Sequence, residues 1–240
     1  MKKINSIITA AGRSKRFKDK KHKLLYVIKK KTILENVFKK VSSFSNNTII
    51  VCNKHNINHI KKILFKYKKK NKILYVIQNK TNGMATAVMK GLSKVSSSNF
   101  IVIWGDQYYL KKETIKKTII CHEKRNSLIT FPYFKIKNPY TYIIRDKKRN
   151  FVDILQKREF FFKMKIGEND CGFFVCKTER VKKELKKLIK AKKILKSKTK
   201  EYDFIKSFKY LKKYGDIFTI KASSEIETRG INTKRDLIKE

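Results

Sequence analysis

Proline and glycine are scarce in this chain of 240 residues, which contains 2 prolines and 8 glycines. This composition excludes collagen-like and proline-rich architectures. No stretch approaches the roughly 20 consecutive apolar residues of a membrane-spanning helix, so we expect no membrane partner. A hydrophobic content of 41% also argues against a disordered chain. The length allows one large domain or two small ones, with room for a substantial core.

The sequence also lacks the cysteine patterns of zinc sites and disulfide frameworks. Its cysteines are Cys52, Cys121, Cys171 and Cys176. They form no CxxC pair, and Cys52 and Cys176 stand in apolar runs where a buried thiol is expected. The start of the chain, residues 1–11, imitates a signal peptide, but Asn5 and Ser6 interrupt its apolar run. We therefore predict a first strand there, and a reduced, cytoplasmic protein.

Acidic residues are few, since 19 Asp and Glu stand against 62 Lys and Arg and give a formal net charge of +43. Such a charge is typical of proteins that bind nucleic acid, anionic membranes or phosphorylated small molecules. The same bias follows from an AT-rich coding sequence, because Lys, Asn, Ile, Phe and Tyr are abundant together. The lysines are spread along the whole chain, which favours the compositional explanation. The charge therefore does not identify a partner.

Apolar residues in the first 105 positions alternate between short continuous runs and helical spacing. The runs predict strands at residues 4–10, 48–52, 73–77 and 100–104, and the helical spacing predicts helices at 32–44, 57–67 and 85–92. Thr32 is the expected N-cap of the first helix. Apolar strands that alternate with helices indicate a mostly parallel sheet covered on both faces.

The second half of the chain has a different pattern, with strand-like runs separated by short polar links. These runs predict strands at 128–133, 140–145, 151–155, 172–176 and 217–220, and helices at 181–195, 204–211 and 233–238. We find no internal repeat and no linker long enough to separate independent domains.

Glycine is rare, so its positions carry information. Gly12, Gly83 and Gly105 each follow a predicted strand. In an open α/β sheet, ligands bind outside the carboxyl ends of the strands, and glycine there lets backbone N–H groups approach an anion closely. Tight turns alone would also use glycine, but three at one edge of a sheet favour a ligand site.

The loop after the first strand is small and basic. It reads AAGRSKRF from Ala10 and continues to Lys23. Small residues let the backbone wrap a phosphate, and Arg16 and Lys23 could neutralise the charge that builds up in phosphoryl chemistry. The loop is neither a P-loop, because GxxxxGK[ST] is absent, nor the Rossmann fingerprint, because it contains one glycine.

Asp106 follows a buried strand in the segment IWGDQ. A carboxylate at a strand end is a natural Mg²⁺ ligand, since Mg²⁺ takes few protein oxygens and keeps water and substrate phosphates. The same residue could equally cap a following turn. Asn232 could add a second oxygen ligand, or it could cap the last predicted helix.

Nine segments of the chain, in order and spacing, resemble the motifs of the sugar-phosphate nucleotidyltransferase family. Within it, the chain is similar to the pyrophosphorylase domain of bacterial N-acetylglucosamine-1-phosphate uridylyltransferase. The segments are AAGRSKRF, HKLLYVIKKKTILENV, QNKTNGMATAV, IWGDQYYL, PYTYIIRD, VDILQKRE, NDCGFF, EYDF and GINTKRDL. The hexapeptide-repeat acetyltransferase domain of the bifunctional enzymes has no counterpart in this sequence.

The resemblance implies an α/β fold of the nucleotide-diphospho-sugar transferase type, a Rossmann-like mixed and mostly parallel sheet flanked by helices. It implies a single domain over residues 1–240, with a nucleotide-binding half at 1–125 and an acceptor-binding half at 126–240. The residues it places on the nucleotide are Ala10, Ala11, Gly12, Gln78 and Gly83.

The resemblance also implies the chemistry. Arg16 and Lys23 would steady the triphosphate of UTP or CTP, and Asp106 and Asn232 would hold Mg²⁺. A phosphorylated acceptor, in the first instance a sugar-1-phosphate, would attack the α-phosphorus in line and release pyrophosphate, so positioning and charge neutralisation do most of the work. The residues implied in the acceptor pocket are Trp104, Thr141, Gln156 and Asp170.

Several positions depart from the family pattern. Ser14 replaces a glycine of the loop, His22 replaces a proline, and Met84 replaces a threonine, which weakens the case for uracil over cytosine. In the acceptor pocket, Thr141, Gln156 and Asp170 stand where the family has Gly, Glu and Asn. Pockets that recognise hydroxyl groups tolerate such changes poorly, so we expect the activity class to transfer better than the substrate.

Other functions stay open at this point. One is a cytidylyltransferase that acts on a non-sugar phosphate ester such as phosphocholine. Another is a basic nucleic-acid-binding protein, in which Tyr108, Tyr109 and the aromatic residues 160–162 would stack on bases. These aromatics lie in different segments and the sequence has no RNP-like or zinc-finger motif, so we do not expect this partner. A third is a non-catalytic homologue. His55 and His59 lie four apart with no third ligand nearby, so we interpret them as surface residues.

Overall fold

The computed structural model describes residues 4–14, 17, 19, 21–159 and 165–237, without the side chain of Arg158. Arg16 and the aromatic residues 160–162, which carry predictions, lie outside the described residues, as does residue 238 at the end of the last predicted helix. None of the helices in the described ranges is long and apolar enough to cross a membrane.

The described ranges contain twelve strands and six α-helices. The strands are β1 Ile4–Thr9, β2 Val27–Ile28, β3 Lys31–Thr32, β4 Ser45–Cys52, β5 Lys72–Ile77, β6 Asn99–Trp104, β7 Ile129–Lys137, β8 Thr141–Arg145, β9 Phe151–Gln156, β10 Ile166–Asp170, β11 Phe173–Lys177 and β12 Ile217–Lys221. The helices are α1 Ile33–Ser42, α2 Ile57–Leu64, α3 Met84–Leu92, α4 Lys112–Arg125, α5 Thr178–Lys190 and α6 Phe208–Leu211.

Eight of the strands form one mixed sheet. Strands β5, β4, β1 and β6 are parallel neighbours in that order. Strand β11 runs antiparallel between β6 and β7, and β12 pairs in parallel with β7. Strands β8 and β9 form a separate hairpin. The predicted fold class, a mixed and mostly parallel sheet flanked by helices, is confirmed.

The sheet has a buried apolar core on each face. Successive residues of a strand point to opposite faces, and the fully buried Ile7 and Ile8 of β1 accordingly belong to different cores. The core around Ile7 includes residues of α3, α5, α6 and the β8–β9 hairpin. The core around Ile8 includes residues of α1, α2 and α4. This double coverage explains why consecutive residues in the middle of the parallel strands, such as 49–51 of β4 and 101–103 of β6, are apolar and buried.

The start of α1 follows the sequence prediction. Thr32 Oγ1 accepts a hydrogen bond from the backbone N–H of Glu35 (3.1 Å), and the backbone N–H of Thr32 donates to Glu35 Oε2 (2.8 Å). This reciprocal pair is a capping box, which satisfies two backbone donors at the helix start.

Four predicted helices differ in the structure. The helix predicted at 57–67 divides into α2 and a 3₁₀ turn, Phe65–Tyr67. The helix predicted at 181–195 ends at Lys190, because Lys192 takes a left-handed conformation (φ 55°) that stops it. Leu195 instead forms an isolated bridge with Tyr202. The helix predicted at 204–211 divides into a 3₁₀ turn and α6, and the closing helix is a 3₁₀ turn, Lys234–Leu237.

Two sizeable elements escaped the sequence analysis. The buried face of α4 includes Thr114, Thr118 and His122, so its apolar periodicity is weak. Strand β10 has the sequence IGEND, which is too polar to predict a strand. Its residues Asn169 and Asp170 are nevertheless buried.

Candidate active site

Three predicted site residues converge at the carboxyl ends of β1 and β6. The Nζ of Lys23 lies 2.5 Å from Asp106 Oδ2 and 3.4 Å from Asn232 Oδ1. The side chains of Lys23 and Asp106 keep 15% and 19% of their exposure, so a ligand can reach the pair. The two strands are joined at this edge by a hydrogen bond from Gly105 N to Thr9 O (3.1 Å).

Lys23 is held by the turn that it begins. His22 caps this 3₁₀ turn, Lys23–Leu25, by accepting a hydrogen bond at Nδ1 from Leu24 N (3.4 Å). Because Nδ1 is the acceptor, Nε2 carries the proton and donates to Gly12 O (2.7 Å). Burial lowers the pKa of His22, which favours this neutral form. His22 thus ties the small-residue loop to Lys23, a role that its place at a family proline did not reveal.

Asp106 and Asn232 are brought together by backbone contacts. Ile231 N donates to Asp106 O (2.9 Å), and a Cβ on Gly230 would lie 3.3 Å from Asp106 Oδ1, so the chain passes close to the carboxylate. In the last turn, Asp236 accepts hydrogen bonds from the backbone N–H groups of Asn232 (2.8 Å) and Thr233 (2.7 Å). The side chains of Asp106 and Asn232 both contact Lys23, and their role as metal ligands stays a prediction.

The oxygens of Asp106 and Asn232 suit a hard divalent cation. Both oxygens contact the positively charged ammonium of Lys23. Within the described ranges, no three His, Cys, Asp or Glu side chains cluster in a way that could hold a metal. A donor set of two protein oxygens fits Mg²⁺, which completes its shell with water and phosphate oxygens.

Two buried asparagines hold the loop that is predicted to wrap the phosphates, through hydrogen bonds to its backbone. Asn56 Nδ2 donates to Ala10 O (2.7 Å), and Asn53 Nδ2 donates to Ala11 O (2.9 Å). A Cβ on Gly12 would meet nothing within 4 Å, so the loop faces open space there. Asn53 and Asn56 were not predicted as site residues, although their place directly after β4 marks them as candidates.

Gln78 and Gly83 shape the next loop along the same edge. Gln78 Nε2 donates to Gly83 O (3.1 Å) and to Thr86 Oγ1 (2.8 Å). Gly83 has a φ of 121°, and a Cβ there would overlap the backbone of Tyr202. Ala85 N donates to Tyr202 O (3.0 Å), so the EYDF segment packs directly against the start of α3.

A small cavity opens beyond the ends of β4 and β5, beside these two loops. It is lined by Arg13, Asn53, Lys54, His55, Asn79 and Thr81. Its basic and amide side chains suit a polar, anionic ligand. Of the two exposed histidines, His55 therefore lies near the predicted nucleotide residues.

Thr141 and Asp170, both predicted for the acceptor, contact each other. Thr141 Oγ1 donates to Asp170 Oδ2 (2.7 Å), and Gly172 N donates to Asp170 Oδ1 (2.7 Å). Burial raises the pKa of the Asp170 carboxyl. Trp104 joins this group because its backbone N–H donates to Gly172 O (3.0 Å).

Gln156, the fourth predicted acceptor residue, contacts a buried ion pair. Its Oε1 accepts a hydrogen bond from Lys196 Nζ (2.6 Å), and Lys196 lies 3.1 Å from Asp203 Oδ2. The side chains of Lys196 and Asp203 are each 7% exposed. Neither residue was predicted, because Lys196 stands in a lysine-rich run of the kind that is usually exposed to solvent.

The remaining predictions concern other residues. Tyr108 is buried and meets Tyr109 edge to face, so it presents no free face for stacking on bases. His122 is buried, and its Nδ1 lies 3.1 Å from Thr130 Oγ1, so it is a structural residue. Arg16 lies outside the described residues, and its predicted role stays a prediction.

Comparison with known proteins matches the chain to a family and to a curated relative. The family model described as MobA-like NTP transferase domain matches residues 6–159. The chain is 26% identical over 243 residues to the bifunctional protein GlmU of Caldicellulosiruptor saccharolyticus, covering 98% of this chain and 50% of that protein. The chain therefore spans about half the length of this curated relative.

Two solved structures share the fold. One is 4-diphosphocytidyl-2C-methyl-D-erythritol synthase from Anaerococcus prevotii, with a TM-score of 0.70, 22% identity, and coverage of 98% of this chain and 95% of that one. The other is the inositol-1-phosphate CTP transferase from T. maritima, with a TM-score of 0.69, 14% identity, and coverage of 91% and 85%.

Proposed function

Because the chain belongs to the MobA-like NTP transferase family, and is a nucleotidyltransferase of the sugar-phosphate type as its motifs predicted, we propose a specific reaction for it. The enzyme transfers a nucleoside monophosphate from UTP or CTP to a phosphorylated acceptor, a sugar-1-phosphate in the first instance, and releases pyrophosphate. The transfer depends on Mg²⁺. The cytoplasmic location and the single-domain organisation stay predictions.

The convergence of Lys23, Asp106 and Asn232 is the observation that supports this proposal most directly. A cation and two oxygen ligands at the carboxyl ends of β1 and β6 suit a triphosphate–metal complex. Mg²⁺ held by Asp106 and Asn232 would neutralise phosphate charge, and Lys23 would donate hydrogen bonds to the same phosphates.

The reaction needs no protein nucleophile. An oxygen of the acceptor phosphate forms a bond to the α-phosphorus of the nucleotide, and the bond from that phosphorus to the bridging oxygen of pyrophosphate breaks. The chain's contribution is to orient both phosphates and to balance the negative charge. The loop at Gly12, held by Asn53 and Asn56, offers space for the triphosphate beside Lys23.

A pyrophosphate-release screen tests this proposal. The purified chain is supplied with MgCl₂, each of the four NTPs in turn, and a panel of hexose-1-phosphates, alditol phosphates, amino-sugar phosphates and phosphocholine. We expect release with UTP or CTP and at least one acceptor, and loss of release with EDTA. No release with any pair, or release that EDTA leaves unchanged, contradicts the proposal.

The proposal also concerns the base of the nucleotide, cytosine or uracil. Met84, at the start of α3, replaces the family threonine beside the base, and two structural neighbours carry names that refer to cytidyl or CTP chemistry. CTP is therefore tested alongside UTP, with the ratio of the two kcat/KM values as the measure.

A further inference from the structure

Asp19, in the loop that precedes Lys23, connects two separate parts of the candidate site. Its Oδ1 accepts a hydrogen bond from Lys21 N (3.0 Å), and its Oδ2 accepts one from the hydroxyl of Tyr26. The ammonium of Lys234, close to the end of the chain, lies 2.7 Å from the same Oδ2. The hydrogen bond from Lys234 is the largest of several contacts that lower the pKa of Asp19, so the carboxylate is charged at neutral pH.

The contact with Tyr26 links Asp19 to the turn that carries Lys23. Tyr26 directly follows this 3₁₀ turn, and its backbone N–H donates to Lys23 O (3.2 Å). The ring of Tyr26 packs on Phe17, with centroids 4.7 Å apart, and Phe17 is buried in the core. The hydroxyl that holds Asp19 is therefore itself fixed in position.

The contact with Lys234 links Asp19 to the segment that carries Asn232. Lys234 begins the last 3₁₀ turn. Asp236, in the same turn, accepts a hydrogen bond from Asn232 N (2.8 Å), so Asn232 and Lys234 belong to one compact unit. The ion pair between Asp19 and Lys234 holds this unit against the loop.

This connection does not depend on the contact between Lys23 and Asn232. Their side chains lie 3.4 Å apart, and in the proposed reaction Lys23 donates to phosphates instead. None of the three contacts of Asp19 uses either side chain, so Asp19 still holds both turns when Lys23 changes partner. A site whose parts are already in place binds its ligand more tightly, because less conformational freedom is lost on binding.

We propose that Asp19 is a positioning residue for the nucleotide triphosphate, which acts through Tyr26 on the turn of Lys23 and through Lys234 on the segment of Asn232. Asp19 acts without touching the substrate. The inference rests on the proposed function, since it assumes that Lys23 and Asn232 serve that reaction.

The variant Asp19→Ala separates positioning from charge. A carboxylate repels a nearby triphosphate, so its removal would tighten nucleotide binding if charge were its only effect. Positioning predicts the opposite. We expect Kd for the α,β-methylene analogues of UTP or CTP, measured by calorimetry on the whole chain with MgCl₂, to rise about fivefold or more. An unchanged or lower Kd overturns the inference.

Variants of the two partners test each connection. Tyr26→Phe removes the hydroxyl without changing the charge and should raise Kd about threefold. Lys234→Met should raise it to a similar extent, whereas Lys234→Arg keeps a cation that can bind Asp19 and should stay near the wild-type value. Wild-type affinity in both Tyr26→Phe and Lys234→Met overturns the inference.

A double variant shows whether Lys234 acts through Asp19. Asp19→Ala combined with Lys234→Met should bind no more weakly than Asp19→Ala alone, because the first substitution has already removed the contact. Losses that multiply would mean that Lys234 contacts the phosphates itself, and they would overturn the proposed role of Asp19.

Glu225→Gln is the matched control. Glu225 and Arg229 form an exposed ion pair of the same length, 2.7 Å, in the same C-terminal segment, and the pair connects only neighbouring turns. The variant removes one negative charge and should keep the wild-type Kd. Urea midpoints should stay close to wild type in all variants, because the side chains of Asp19 and Lys234 keep 22% and 56% of their exposure. If Asp19→Ala misfolds, Tyr26→Phe decides the matter.

Pyrophosphate release judges the proposed function separately. Release by the wild type together with an unchanged Kd in Asp19→Ala supports the function and overturns the inference. Weaker nucleotide binding in the variants, without release by the wild type, contradicts the proposed function and leaves the inference intact. A wild type that neither binds the analogues nor releases pyrophosphate contradicts both.

Discussion

Lys23 Nζ and Asp106 Oδ2 lie 2.5 Å apart although 83 positions separate them in the sequence. The carboxylate is thus balanced by a lysine before any metal or phosphate arrives. A metal that binds Asp106 must share that oxygen with the ammonium or displace it toward the phosphates. We expect the pair to exchange partners on substrate binding, so substitutions at either residue should affect turnover more than folding.

The first prediction concerns Asp106→Asn. The variant keeps the shape of the side chain and removes its charge, so kcat should fall by about 10²-fold or more, the scale of losing one preorganised electrostatic contact. The partly exposed ion pair should contribute only about 1 kcal/mol to the free energy of unfolding. Steady-state pyrophosphate release and urea unfolding measure the two effects. Asp146→Asn in the β8–β9 turn is the control, and wild-type turnover in Asp106→Asn would reject the metal assignment.

The second prediction concerns Lys23→Met. Loss of the ammonium should raise KM for the nucleotide and lower kcat, together reducing kcat/KM by about 10²-fold, because charge-assisted hydrogen bonds to phosphate are lost. KM for the acceptor should change much less. A variant affected only in the acceptor KM would place Lys23 outside the triphosphate site.

The third prediction compares two glycines at the same edge of the sheet. Gly83→Ala should cost about 3 kcal/mol of unfolding free energy, because φ is 121° and the new methyl overlaps the Tyr202 backbone. Gly12→Ala should change that free energy by less than about 0.5 kcal/mol, since its Cβ meets nothing within 4 Å.

The Gly12 variant should instead raise the nucleotide KM by about tenfold, because the methyl group occupies space that the proposal gives to a phosphate. Chemical unfolding and nucleotide titration separate the two effects. If Gly12→Ala keeps its nucleotide KM, the triphosphate does not pass this loop.

The fourth prediction concerns the pH dependence of stability. Burial, with a smaller effect from the charge of Lys177, lowers the pKa of His122 from 6.5 to about 4, so the folded protein favours the neutral ring. The unfolded chain binds a proton near pH 6.5, so stability present above that pH is lost as the pH falls toward 4. This loss should be about 3 kcal/mol.

His122→Asn should remove that part of the slope, whereas exposed His59→Asn should leave it unchanged. Urea unfolding of the three proteins between pH 7 and pH 4 gives the comparison. Parallel curves for wild type and His122→Asn would show that His122 does not titrate in this range.

The parallel half of the fold was predictable because its strands are buried on both faces and its helices have one apolar face. Ile7 and Ile8 of β1, for example, are both fully buried, one on each face of the sheet. Helix α4 escaped because Thr118 donates to Thr114 O and His122 contacts Thr130, so polar residues occupy its buried side. In a sequence, such polar residues are interpreted as exposed, because the partners that they contact in the fold are not yet known.

The candidate site was predictable in part. Residues at strand ends, such as Gly12 and Asp106, are marked by the sheet topology, and Lys23 and Asn232 by motif. Lys196 and Asp203 were not, because a buried ion pair depends on contacts between segments that a local pattern does not contain. His22 was noticed only as a departure from the family pattern, because its hydrogen bond to Gly12 O depends on the fold of the loop.

The insertion of β11 between β6 and β7 has a consequence for how this chain is made. Strand β6 ends at Trp104 and is synthesised long before its partner β11, which begins at Phe173. The edge of β6 that pairs with β11 therefore stays unpaired on the ribosome until β11 emerges. Open strand edges invite pairing with other chains. The nascent protein is therefore most exposed to misassembly while its second half is being synthesised, and general chaperones are expected to act in that interval.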